Sequence, residues 1–200
     1  MQKITDTATL ETLYEAAVPR SLTKVATRLT PLYQQWIEAS KFLILSTIGP
    51  EGTDASPRGD DGPAVKIADS KTLWLPDWRG NNRLDSLRNI VRDPRVSLMF
   101  MVPGCNNVVR VNGTAFLTAD EDARAAFARK SLLPATVAVI TVEELYFQCA
   151  KALMRSRLWD PEADRPAVPT AGQFLKEQEA GFEADAYDEG YAEYAKTRMW

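Results

Sequence analysis

The sequence contains no histidine and only two cysteines, Cys105 and Cys149. Without histidine there is no Ser-His-Asp or Cys-His catalysis, no His-ligated haem and no imidazole acid or base. Most catalytic zinc designs go with them. Two cysteines far apart in sequence build neither a disulfide framework nor a Cys-only zinc site. No P-loop and no G-x-G-x-x-G fingerprint occurs, which argues against Walker and Rossmann nucleotide sites. Asp60-Asp61 is too small a carboxylate group for an oxygen-ligand metal site, so no metal is expected. No apolar run approaches the roughly 20 residues needed to cross a bilayer. The N-terminal stretch MQKITDTATLETLYEAAVPR has no secretory h-region, so a cytoplasmic location is expected. A net charge of −3 supplies no strong drive toward nucleic acid or an anionic membrane. Chemistry must therefore come from carboxylates, Lys, Arg, Tyr or a bound cofactor.

What is present suits one domain of 200 residues, 45% hydrophobic and 26% charged, which is a globular balance. Residues 1–40 read as helices: Leu10, Leu13, Tyr14 and Ala17 recur at helical spacing up to Pro19, and Pro31 suits the first turn of a second stripe. Residues 41–159 read as a strand-rich core with inserted helices. Lys41 to Ile48 and Asp54 to Arg58 form a hairpin around Gly49-Pro50-Glu51-Gly52, and Ala64 to Ala68 with Thr72 to Leu75 forms another. Asn81 to Val91 reads as a helix with Leu84, Leu87 and Val91 on one face. Arg95 to Val102 reads as a strand buried on both faces. Val108 to Leu117 is a long strand with Gly113 at a bulge or bend. A short helix (Asp120 to Ser131), a strand (Ala135 to Val142) and a helix (Tyr146 to Leu158) follow. Residues 160–200 are a proline-containing loop and an acidic helical tail. About six strands joined by short turns imply antiparallel pairing in a small closed or partly open barrel.

Three segments are candidates for chemistry. Leu73 to Leu84 (LWLPDWRGNNRL) passes from a strand through a Gly-containing turn to a helix start at or near Asn81. Free N–H groups there, with Arg79 and Arg83, suit an anion, although a plain N-cap with solvated arginines explains the same residues. Ser56 to Asp60 carries Arg58 beside Gly59 at another strand end, so Arg58 and an arginine of the first segment are placed to converge on one phosphate. In a helix, Lys151, Arg155 and Trp159 fall at i, i+4 and i+8 along one side, a cationic stripe suited to a planar anion, or a basic face turned to water or to the acidic tail. Cys149 reads as a small buried residue rather than a nucleophile. Trp74 and Trp78 read as packing.

The run Leu73 to Phe100, including Asp93-Pro94-Arg95-Val96-Ser97-Leu98-Met99-Phe100, resembles the flavin-binding core of the pyridoxamine 5′-phosphate oxidase family. The segments DASPRGD and LPDWRGNNRLDSL, the stretch Arg110 to Gly113 and Cys149 to Trp159 are similar to a bacterial branch of oxidase-like members. The likeness spans about residues 30–160. It implies a mainly β protein with peripheral helices: a six-stranded Greek-key split β-barrel of the FMN-binding type, in one domain over residues 1–200. It also implies a homodimer with FMN at the interface. By position, Arg58 and Arg83 hold the FMN phosphate with Asn81 and Asn82. Leu75, Pro76 and Asp77 run beside the isoalloxazine, and Lys151, Arg155 and Trp159 approach from the later helix of either subunit. The implied function is an FMN-dependent oxidoreductase acting on a small molecule. The alternative is a non-catalytic flavin- or deazaflavin-binding dimer. The chain departs from authentic pyridoxamine phosphate oxidases in lacking their Arg-x-His pair and in carrying Asn82 where they have Arg, which counts against that specific reaction.

Overall fold

The computed structural model describes residues 1–164 and 166–199. Arg165, inside the expected loop, and Trp200, at the end of the expected tail, lie outside them. Seven strands form one antiparallel sheet: β1 (Phe42–Gly49), β2 (Gly52–Gly59), β3 (Lys66–Asp69), β4 (Thr72–Asp77), β5 (Arg95–Met101), β6 (Val108–Thr118) and β7 (Thr136–Gln148). Their order across the sheet is β2-β1-β5-β6-β7-β4-β3. The expected six strands are thus seven, and no hydrogen-bonded ladder joins β2 to β3 or β4 to close the barrel.

The sheet is nevertheless rolled. Five strand steps separate β2 from β4, which in a flat sheet would be roughly 24 Å. Yet Arg58 Nη1 on β2 lies 2.5 Å from Asp77 Oδ1 on β4. Leu43, Leu45, Leu73, Leu98, Phe100, Val111, Ile140 and Leu145 fill the interior. Alternation along the strands puts them there. β1 and β5 each bury every second residue. β5 is therefore buried on one face and half-buried on the other, not buried on both: Ser97, Met99 and Met101 are on the half-buried side. On that outer face Ser97 donates to Asn112, whose Nδ2 donates to Glu144 Oε1 at 2.6 Å.

The bulge expected at Gly113 is present, as a register shift between Asn112 and Gly113 in the β6–β7 pairing. A Cβ at Gly113 would lie 1.9 Å from the Thr141 carbonyl oxygen. Only glycine permits this approach of the two backbones. Pro57 sits on β2, an edge strand, where a missing N–H costs no ladder bond.

The helices depart more from expectation. In the N-terminal region, α1 spans Thr7–Glu11, α2 Pro19–Thr23 and α3 Pro31–Ala39. Pro19 opens a helix instead of closing one, because proline is tolerated where the N–H has no intrahelical partner. Pro31 opens α3 as expected. Next, α4 covers Asp85–Arg92 and begins four residues later than Asn81, since Asn82 (φ 60°) and Leu84 (φ 61°) are left-handed. It buries Ser86, Asn89 and Ile90, while Leu84 and Val91 are exposed. Asn89 donates to Thr47 Oγ1 on β1 at 3.2 Å, and Ser86 donates to Asp54 on β2, so polar anchors choose the buried face.

The helix expected over Asp120 to Ser131 shrinks to α5, Glu121–Ala125. Tyr146 to Gln148 continue β7, and α6 covers only Lys151–Ser156, ended by left-handed Arg157. β-branched and aromatic residues pairing with β6 outweigh the helical periodicity there. The tail forms α7 (Ala171–Gln178), with a Thr170/Gln173 capping box, and α8 (Ala184–Lys196). No helix among the described residues is long and apolar enough to cross a membrane.

Candidate functional site between two free strand edges

β2 pairs only with β1, so its outer edge is open. β3 reaches β4 only as far as Trp74, and the other edge of β4 is taken by β7. From Leu75 to Asp77, β4 therefore has no strand on its outer side. Where these edges face each other lies a depression of about 510 Å³, within the size range of small-molecule sites. Arg58, Asp60, Pro76, Trp78, Arg79 and Met199 are among its lining residues.

Arg58 pairs in register with Leu43 and so shares the core-facing side of the sheet. Asp77 shares the face of buried Leu73 and Leu75. Their ion pair sits at the barrel end with side chains 20% and 18% exposed. Arg58 Nε is buried and has no hydrogen-bond partner among the described residues. Beside it, Asp60 is 7% exposed on the side chain. Its carboxylate accepts from Asp61 N (2.7 Å), Gly62 N (3.4 Å), Trp78 Nε1 (3.2 Å) and the Arg129 guanidinium. Arg129 also pairs with Asp61 at 2.6 Å and lies over the Trp78 ring, 5.7 Å from its centroid. Its hydrogen bond to Asp61 is the main cause that lowers that carboxyl below the usual range. Asp60 and Arg129 thus fix the Trp78 indole in the wall. Arg129 carries no motif in the sequence: it reaches the site through the turn Arg129–Leu132, closed by two backbone bonds and a left-handed Lys130.

The expected site residues divide into three groups. Arg58, Leu75 and Pro76 line the depression; Asp77 does not, but it pairs with the lining residue Arg58. Asn81, Asn82 and Arg83 follow its lining residue Gly80 in an exposed loop. There Asn81 Oδ1 accepts from Arg83 N at 3.1 Å, and the Arg83 side chain, 77% exposed, pairs with Asp85 at 2.8 Å. Arg83 does not converge with Arg58; Arg79 is the second arginine of the lining, and it makes no ion pair among the described residues. The predicted helix start at Asn81 is replaced by left-handed residues on either side of Arg83. Alternation of this kind is a backbone pattern found at anion sites, although here the Arg83 N–H is taken by Asn81 Oδ1.

Lys151, Arg155 and Trp159 do not line the depression. The helix stops at Ser156, so Trp159 leaves the predicted stripe, and its Nε1 donates to the Cys105 carbonyl at 2.9 Å. Cys149 is exposed instead of buried. Trp78, read as packing, is a wall residue of the depression.

An apolar wall, an open backbone edge, an unpaired arginine and an orphaned guanidinium nitrogen fit a planar ligand with an anionic tail. The residues present are therefore compatible with FMN.

Comparison with known proteins gives a family and a fold. The family model described as pyridoxamine 5′-phosphate oxidase matches residues 29–149, from just before α3 to just past β7. HupZ of Group A Streptococcus has the same fold, with 18% identity and a TM-score of 0.50 over 60% of this chain and 98% of that one. A Clostridium acetobutylicum protein related to general stress protein 26, of the pyridoxinephosphate oxidase family, gives a TM-score of 0.46. Its identity is 15%, over 57% of this chain and 84% of that one. An F420 reductase gives 0.42 at 17% identity over 60% and 98%. No curated protein matches the sequence.

Proposed function

The chain belongs to the pyridoxamine 5′-phosphate oxidase family, and on that premise we propose that it is an FMN-binding oxidoreductase acting on a small molecule as a homodimer. The cofactor is assigned to the opening between β2 and β4. The observation that carries this reading is the pair of unpaired strand edges flanking a depression with Arg58 and Arg79 in its wall.

Bound there, the flavin supplies hydride chemistry, and the protein supplies binding, orientation and electrostatics. Arg79 and the loop amides between Gly80 and Leu84, other than the Arg83 N–H that Asn81 Oδ1 occupies, hold the phosphate. Arg83 joins them by exchanging its exposed partner Asp85, a surface pair of small net value. Arg58 offers its free Nε while Asp77 holds the rest of the guanidinium in place. The open edge of Leu75 to Asp77 offers backbone groups to the ring, and Trp78, pinned by Asp60, bounds it. Lys151, Arg155 and Trp159 lie outside the depression of their own chain, so a role at the cofactor needs a second copy.

Absorbance in the flavin bands after purification, or quenching of FMN fluorescence on titration, tests the assignment. A colourless protein that leaves added FMN unquenched overturns it. Oxidation of NAD(P)H or reaction of the reduced protein with O₂ then separates an enzyme from a flavin carrier.

A further inference from the structure

Every residue from 1 to 23 is exposed. The chain leaves the body at a two-bond bridge between Ala26 and Leu145, and α1 and α2 lie beyond it. Yet this arm is not polar. Leu13 is 64% exposed, Tyr14 73% and Leu22 63%, with Ile4, Leu10 and Val18 also uncovered. Burying one aliphatic side chain removes about 60–120 Å² of apolar surface from water. These six side chains are 42–73% exposed, so covering them removes about 200–450 Å², a substantial part of the ~800 Å² each partner contributes to a stable dimer.

A second element of the chain is uncovered in a complementary way. The α7–α8 hairpin packs chiefly on itself. Phe182, Tyr187, Tyr191 and Tyr194 form a continuous ladder of ring contacts along it, and Tyr191 and Tyr194 are about half exposed. Residues 171–199 hold seven carboxylates against three cations. The arm's first half is acidic, with Asp6, Glu11 and Glu15 against Lys3, but Ala16 to Thr30 holds Arg20, Lys24 and Arg28 and no carboxylate. Lys24 lies over its own Tyr146 and Phe147 rings, which leaves Arg20 and Arg28 for a partner. Within one protomer, no ion pair among the described residues joins arm to hairpin.

We propose that residues 1–28 are a dimerisation arm whose apolar side chains, with Arg20 and Arg28 at its α2 end, pack on the acidic, aromatic α7–α8 hairpin of a second copy of this chain. A two-fold axis makes the exchange reciprocal, so both arms and both hairpins are covered and the assembly closes at two. The inference goes beyond the cofactor assignment: a monomeric chain would remove the homodimer proposed above as well, whereas a dimer indifferent to the arm variants overturns the arm alone, and neither outcome reads the flavin.

The measurement is the dimer dissociation constant of the full-length chain by sedimentation. Leu13→Asp with Leu22→Asp places two carboxylates in the apolar contact and raises the constant about 100-fold. Arg20→Glu with Arg28→Glu raises it about tenfold, and adding Glu177→Lys with Glu189→Lys brings it back to within about threefold of the original. All six positions are exposed, so the protomer keeps its circular dichroism and its melt. Should the Leu pair fail to fold, the charge exchange alone decides. A monomeric full-length chain at micromolar concentration, a shift under threefold in the Leu pair, or a charge reversal without rescue overturns the proposal.

Discussion

At the scale of the residue, Arg58 has an observed duty and a proposed one, and their signatures differ. Its guanidinium holds the rolled sheet to Asp77, and its Nε has no hydrogen-bond partner among the described residues. Arg58→Ala leaves a mostly buried carboxylate alone and is expected to cost about 1–3 kcal/mol of stability, read by urea unfolding. It should also weaken FMN binding by about 1.5–3 kcal/mol, the worth of a charge-assisted hydrogen bond. Asp77→Asn separates the two effects: it destabilises the fold but leaves FMN affinity equal or higher, because Arg58 keeps its full charge. A parallel loss of affinity in Asp77→Asn would mean that Arg58 acts only as a clasp. Gly113 is the other residue on which the fold turns. Gly113→Ala drives a methyl into the Thr141 carbonyl, and a loss of about 1–3 kcal/mol or more is expected from thermal melts.

At the scale of the element, α4 is held by its ends and its polar face, not by an apolar stripe. Its C-cap Asp93 accepts from the Arg95 side chain at 2.6 Å and from Arg95 N at 3.0 Å, joining α4 to β5. These bonds, the side-chain one foremost, hold the Asp93 carboxyl down to about 2 from its ordinary 3.8. A depressed carboxyl stabilises the fold while ionised. That contribution is intact above about 3.8 and is lost as the pH falls toward about 2. Asp93→Asn is therefore expected to melt below the parent at neutral pH and to converge with it near pH 2, in a Tm series over that range. A constant gap across the range would exclude this linkage.

At the scale of the whole molecule, the site exists because the two ends of one sheet meet without pairing. The far end of the chain meets them too, since Met199 lines the depression beyond α8. Methionine fills irregular apolar gaps adaptably, which makes it a movable wall. Truncation after Thr197 is expected to leave Tm within about 2 °C, because α8 packs mainly on α7. The same truncation should raise iodide quenching of bound FMN. Unchanged quenching would place the tail away from the ligand.

The hairpin turns, the bulge glycine and the proline-opened α3 were legible from residue order, because each is a contest settled among near neighbours in the chain. The one-sided burial of β5 was not, because its run of apolar residues hides the alternation that the sheet imposes. The strand–turn–arginine pattern at the ends of β2 and β4 was also legible, and Arg58 and Arg79 from those ends line one depression. The start of α4 was not, because Asn82 and Leu84 adopt a backbone that propensity disfavours. The end of β7 was not, because eleven registered pairs with β6 override a helical period. Nor was Arg129, which arrives beside Asp60 across 69 residues of chain. Periodicity reports which face of an element is apolar. Which strand edges stay unpaired, and which charges the roll of the sheet brings together, depends on contacts distant in sequence, and these form only when the sheet closes on its core.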